Sequence, residues 1–284
     1  MEQIWHRKEE IFKLMNINGY ELKPDANLVN ADLSGLDLKG INLKGANLVG
    51  ADLRNTDLSS ANLCHANLYG ARLRYTIFDG ANLKDINISA CDSREAVMRG
   101  VDLRGANMVG IDLTFADVSN SNLSDVNLYG ARLQYTVFKN CYFIDAILKG
   151  ANLDGANLEN AQLPNVDLQY AHLDDAILIG ANLEGAKLCN AYLFNVNLTG
   201  ADLSHSNLTG VNLLNGTCED AKLRHANLMC SDLEYTDFTG ANLRGANLEG
   251  ANLMNARMIV TDLRDCNMTN LNTQNVMMYG TLID

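Results

Sequence analysis

The 284-residue sequence predicts an all-β solenoid, a chain wound into four-sided coils, and three observations carry that prediction. From Ala26 the chain reads A-N-L-V-N, A-D-L-S-G, L-D-L-K-G, I-N-L-K-G, A-N-L-V-G. It continues in fives to Gly280 without insertion or deletion, 51 consecutive pentapeptides. Hydrophobic residues make up 47% of the chain but aromatics only 6%, and 2 prolines stand against 22 glycines, a balance odd for a globular enzyme and natural to a repeat. Finally, a long motif returns at multiples of 20 residues. N-L-Y-G-A-R-L-R-Y-T-I-F-D-G (67–80) recurs as N-L-Y-G-A-R-L-Q-Y-T-V-F-K-N (127–140), with a third echo, S-D-L-E-Y-T-D-F-T-G, at 231–240.

The unit comes first. The middle residue of each five, its centre, is Leu, Ile, Val, Met or Phe everywhere except Ser93, Cys218 and Thr273. The residue two before it is usually Ala, the residue just before it mostly Asn or Asp, and the last of the five often Gly or Asn. A period of five is neither the 3.6 of a helix nor the simple alternation of a flat strand. Two apolar positions two apart point to the same side of an extended backbone. The following pair tolerates turn conformations. Each five is therefore a short extended side and a corner, and stacked coils bury both apolar positions in one interior.

The coil comes next. Twenty residues is four pentapeptides, so a four-sided coil fits, as do other divisors of 20. Phe78, Phe138 and Phe238 share one phase, whereas Phe143 does not. Tyr75, Phe115, Tyr135 and Tyr235 share one outward corner column.

The repeat A-[N/D]-L-x-G resembles the pentapeptide repeat family over about nine-tenths of the chain. That resemblance implies a right-handed, four-sided parallel β-helix with Leu or Phe centres and small residues packed inward. Fifty-one units over four sides make between 12 and 13 coils, and at ~4.8 Å per coil the rod is on the order of 60 Å long.

A solenoid must cover its ends. In residues 2–15, Ile4, Trp5, Ile11, Phe12 and Met15 form one helical face, which predicts an amphipathic capping helix over the first coil. The expected organisation is cap and linker at 1–25, β-helix at 26–280 and tail at 281–284. The chain ends on apolar residues, so the last coil is either folded over by its own tail or buried against a second copy. Some family members meet as symmetric dimers through this end, which here implies a dimer contact at Met277, Met278, Tyr279, Leu282 and Ile283. The polar centre Ser93 predicts a weaker coil with its hydroxyl bonded to backbone, or a bulge forming a partner site; the frame resumes intact at Ala96.

Chemistry is sparse. Seven cysteines form no C-x-x-C pair; Cys91, Cys141 and Cys266 replace the small inward residue and Cys218 a centre, so neither disulfide nor zinc framework emerges. A reducing, cytoplasmic setting follows from that cysteine usage. His65, His205 and His225 share one corner column, the last two on adjacent coils, and read as solvated corner residues rather than metal ligands. The sequence has no nucleophile elbow, P-loop or dinucleotide fingerprint, and a regular rod lacks the concave pocket catalysis needs. No enzyme activity, cofactor or metal is expected. No apolar run approaches ~18 residues, so no membrane-spanning helix is expected, and Met1–Lys8 lacks the order of a signal peptide.

Charge is uneven. The net charge is −12, which argues against direct nucleic-acid binding. Residues 1–100 hold 12 basic and 13 acidic residues, whereas residues 151–220 hold 9 acidic residues and one base, Lys187. Arg54, Arg74 and Arg94 form a ladder that becomes Asp154 and Asp174 farther along. Two functions fit. The first is a non-catalytic scaffold for a protein partner, anchored by Tyr75, Phe115, Tyr135 and Tyr235. Eukaryotic members joined to a POZ domain act as ubiquitin-ligase adaptors; this chain shares the Arg-Lys-Glu opening before its repeats but carries no POZ sequence. The alternative is the family's acidic DNA mimics, rods that bind type II topoisomerases.

Overall fold

A computed structural model describes residues 16–17 and 19–284. The unit of its architecture is a hydrogen-bonding account that closes. In the five residues 46–50, Ala46 N–H donates to Leu43 O (3.0 Å), Asn47 to Ala26 O (2.9 Å), Leu48 to Asn67 O (2.7 Å) and Gly50 to Tyr69 O (3.0 Å). Only Val49 N–H has no backbone acceptor, and the Asn47 side-chain oxygen takes it at 3.3 Å. The repeat's Asn or Asp is thus an Asx-type acceptor for the one amide outside the ladder. Both prolines, Pro24 and Pro164, fall on that same turn position, the only place where losing an N–H costs no ladder bond.

Every bridge along the rod joins residue n to residue n+20 in parallel, from Asn27↔Asn47 to Asp262↔Leu282, so the coil is four-sided. The last residue of each five is left-handed, for example Gly50 at φ 66° and Tyr135 at φ 57°. With the centre carbonyl accepting from the residue three on at most corners, these carry the hallmarks of a type II turn. The chain is thus a four-sided parallel β-solenoid.

One continuous apolar core runs from Leu22 to Leu263, built of the centres and the small residues two before them. Where Thr replaces the small Ala, its hydroxyl reaches a centre carbonyl one coil back: Thr56 to Leu33, Thr76 to Leu53, Thr136 to Leu113 and Thr236 to Leu213, at 2.7–2.8 Å. The thiols of Cys91, Cys141 and Cys266 make the same contact at 3.0–3.1 Å. Burial pushes the Cys91 and Cys141 thiols up to about 12, which leaves them unreactive. Phe143, out of phase with the other Phe centres, packs edge-on against Phe138 at 5.2 Å.

The two ends differ. At the start, β1 (Asn16–Ile17) pairs antiparallel with β2 (Tyr20–Glu21), and Tyr20 and Leu22 pack on the core. The segment expected as a plain linker is therefore partly a hairpin. The capping helix expected at 2–15 lies outside the described residues, which themselves contain no helix. At the other end, Leu282 bridges Asp262, so the tail belongs to the ladder. Met278 and Ile283 there are exposed.

Ser93 corrects two expectations. It is fully buried, and its ladder neighbour Asp92 pairs with both Arg72 and Asp112 in the regular register, so there is no bulge. Its hydroxyl has no hydrogen-bond partner, backbone included.

Candidate protein-interaction face

The 20-residue coil assigns every outward side chain to a column, and one face with its two flanking corners collects the rings. Of the eleven exposed aromatic side chains among the described residues, nine lie there, and only Tyr142 and Tyr279 lie elsewhere. Tyr69, Tyr129 and Tyr170 mark one corner, Tyr192 the face itself, and Tyr75, Phe115, Tyr135, Phe194 and Tyr235 the other corner.

The four anchors expected from sequence do share a corner, but they are not one cluster. Phe115 and Tyr135 stack in parallel, with centroids 5.1 Å apart and planes 8° apart, and are 61% and 56% exposed. Tyr135 continues the stack over Gly155, where an added Cβ would stand 2.5 Å from its ring and displace it. Tyr75 is engaged: Arg74 lies 4.9 Å over its ring, its hydroxyl meets Glu95 at 3.0 Å, and Arg74 closes the set on Glu95 at 2.7 Å. Tyr235 stands 100 residues, or five coils, beyond Tyr135. All four occupy left-handed backbone, φ 56–62°. Bulky residues there cost roughly 1–2 kcal/mol each relative to glycine, so the corner carries strain that packing does not need.

A second stack had no counterpart among the expected residues. His172 and Tyr192, on successive coils of the face, lie 4.6 Å apart with planes 14° apart. They occupy the position where the repeat places its Asn or Asp, and the backbone compensates. The Asp174 N–H is taken by the Asp154 carboxylate of the coil below (3.1 Å), and the Phe194 N–H by Asp174 (2.9 Å). The two acids that replace the arginine ladder therefore act in the backbone account, each through one oxygen. The signal for this was present in the sequence as His172 and Tyr192 standing two before Asp174 and Phe194.

Electrostatics separate the rod into zones. In the first part, arginines chelate carboxylates two residues away: Arg94 to Asp92 and Arg104 to Asp102, both at 2.7 Å. The arginine hydrogen bonds hold Asp52, Asp92 and Asp102 below the usual carboxylate range. Of the nine acids in 151–220, Glu159 pairs with Lys139 (2.6 Å) and Asp202 with Lys222 (3.4 Å). Asp154, Asp167, Asp174, Asp175, Glu184, Glu219 and Asp220 have no ion pair among the described residues.

The histidine corner is a stack as well. His205 and His225 lie 5.3 Å apart, beside a shallow cleft lined by Glu184, Asp202, Ser204 and Arg224. Among the described residues no group of three or more His, Cys, Asp or Glu is arranged to hold a metal ion. Among the described residues no helix is long and apolar enough to cross a membrane. At the C-terminal end Met277, Met278, Tyr279, Leu282 and Ile283 are all exposed, Tyr279 at 80%.

No curated protein sequence matches the chain. Among solved structures, it is similar to HetL, a pentapeptide repeat protein involved in heterocyst differentiation regulation from the cyanobacterium Nostoc sp. strain PCC 7120. The two are 25% identical over 100% of this chain and 96% of HetL, with a TM-score of 0.31. A pentapeptide repeat protein from the Arabidopsis thaliana thylakoid lumen is 33% identical over 35% of this chain and 70% of that one, with a TM-score of 0.35. A trypsin-treated form of QnrB1, a plasmid-mediated fluoroquinolone resistance protein, is 18% identical over 66% and 84%, with a TM-score of 0.35. The sequence profile of pentapeptide repeats matches repeatedly along the chain, over residues 26–63, 46–85, 81–120, 121–160, 156–193, 191–228 and 231–270. With that profile spanning nearly the whole coil, the chain belongs to the pentapeptide repeat family.

Proposed function

We propose that the protein is a rigid, non-catalytic scaffold that binds a protein partner along its aromatic face. The observation that carries this reading is the gathering of nine exposed aromatic side chains on one face and its corners, several of them in backbone that glycine or asparagine would hold at lower cost. Aromatic rings supply contact area with little side-chain entropy to lose, which suits a partner surface. A ladder that pairs every coil to the next holds them in fixed register.

The test is capture of a partner by the immobilised full chain. A specific partner retained by the wild type and lost on joint Tyr75→Ala and Tyr135→Ala substitution supports the reading. Equal capture by both forms removes the aromatic corner from it. At the C-terminal end the exposed Met277, Met278, Tyr279, Leu282 and Ile283 are offered to a second copy in a symmetric dimer. Sedimentation tests this: a monomer mass both for the full chain and for a chain cut before Leu271 removes the dimer.

One observation favours a second reading, the acidic mimic of duplex DNA that occupies a type II topoisomerase: seven carboxylates without ion pairs among the described residues fall within residues 151–220 of a rod. The arginine-paired acids before residue 140 dilute that resemblance. A supercoiling assay with micromolar protein and no inhibition or protection would leave the mimic without support.

A further inference from the structure

The corner that carries Tyr75 and Tyr135 presents a tyrosine in two settings: at Tyr135 glutamine stands in place of Arg74, Gly155 in place of Glu95, and the nearest acid column, Asp154, is one position earlier. At Tyr75 the chain brings its own cation. Arg74 lies over the ring at 4.9 Å and binds Glu95 of the next coil at 2.7 Å, so ring, guanidinium and carboxylate form a closed set. At Tyr135, in the same column three coils on, the residue before the tyrosine is Gln134 rather than arginine. The ring is doubled by Phe115, and the coils above supply Asp154, Asp174 and Asp175.

These carboxylates are fixed in place. Asp154 and Asp174 each hold a backbone N–H with one oxygen, and Asp175 accepts from Asn195 at 2.7 Å. No ion pair reaches any of the three among the described residues, and Arg132, the nearest arginine in the chain before Tyr135, is turned to Asp112 at 3.8 Å. The lower site is therefore filled from within, and the upper site presents rings and anions without a cation.

We infer that the Tyr135 site is a receptor for an arginine side chain of a partner, carried on a basic, extended segment that lies along the corner. The guanidinium lies against the exposed part of the Phe115–Tyr135 rings and hydrogen-bonds to the oxygen of Asp154 that does not hold the Asp174 N–H. Further basic residues of the segment meet Asp174 and Asp175. Such a partner is cationic, in keeping with the sign of the whole belt. The assignment rests on the scaffold reading above and adds the partner's chemistry to it.

The experiment uses the full chain and a fluorescein-labelled hexa-arginine peptide, read by fluorescence anisotropy, with Gln134→Arg as the decisive variant. This substitution places an arginine beside Tyr135 as Arg74 stands beside Tyr75, adds one positive charge and removes no acid. Gln274→Arg, in the same column seven coils on, is the charge-matched control. The expected result is peptide binding weakened at least tenfold by Gln134→Arg and less than twofold by Gln274→Arg, with unchanged melting temperatures. Equal weakening by both, or no binding to the wild type in low salt, overturns the assignment. The partner capture described above separates the two levels. A partner held equally by wild type and Gln134→Arg leaves the scaffold standing and removes this site, whereas failure to capture anything counts against the scaffold and leaves the peptide result to decide the site.

Discussion

Residues 26–139 and residues 151–220 share one repeat and one ladder, yet treat most of their acids in opposite ways. In the first region Asp52, Asp92, Asp102 and Glu95 are each held by an arginine of the same coil or the coil below. In the second, only Glu159 and Asp202 have cations among the described residues, and both lysines lie outside the region. The core beneath does not register the change: Leu53 and Leu168 are equally buried centres. The difference teaches that the solenoid's stability is settled by its core and its ladder. Surface charge is then free to serve something else, closed on itself in one region and left open in the other.

The largest test of that separation is in the core. Leu53→Ala and Leu168→Ala should each cost about 2–5 kcal/mol in denaturant unfolding, and to a similar extent. A much smaller loss in the acidic region would mean that its coils are not equivalent to the others. Next is Ser93→Leu, which replaces a buried hydroxyl without a partner by the repeat's own centre residue. It should raise stability by about 1–3 kcal/mol, and a lower melting temperature would show that the site has no room for leucine. A smaller gain, about 1 kcal/mol, is expected from Val260→Gly, because Val260 holds φ 57° with a β-branched side chain.

The smallest effect separates paired acids by pH. Arg264 hydrogen bonds hold Asp262 down to about 2, well below its ordinary 3.8. A depressed carboxylate contributes stability that is present above its unfolded value and lost as pH falls through its folded one. The destabilisation caused by Arg264→Gln should therefore be greatest at pH 5 and vanish by about pH 2. A difference in melting temperature that persists unchanged at pH 2 would show that the arginine acts through packing instead.

Much of this was legible in the sequence, for a physical reason. A strict period leaves no freedom in register, so the 20-residue phase that aligned Tyr75, Phe115, Tyr135 and Tyr235 also fixed their column in space. What escaped was relational. His172 and Tyr192 break the Asn/Asp rule, and the consequence falls on Asp154 and Asp174 one coil below; seeing it requires knowing which amide of the five lacks a backbone acceptor. Likewise, Tyr75 and Tyr135 read as equals until Arg74 and Glu95 are seen to occupy one of them. Ser93 read either as a weaker coil with its hydroxyl bonded to backbone or as a bulge; the unbroken frame keeps the ladder in register and turns the side chain inward, where its hydroxyl finds no partner.

The central claim is that the rings at Phe115 and Tyr135 serve binding and not folding. Asparagine suits the left-handed backbone at both positions, so one double variant, Phe115→Asn with Tyr135→Asn, separates the two roles. Melting temperature and anisotropy of labelled hexa-arginine, measured on the same sample, should give an unchanged or higher melting temperature together with loss of peptide binding. A lower melting temperature with peptide binding retained would contradict the account.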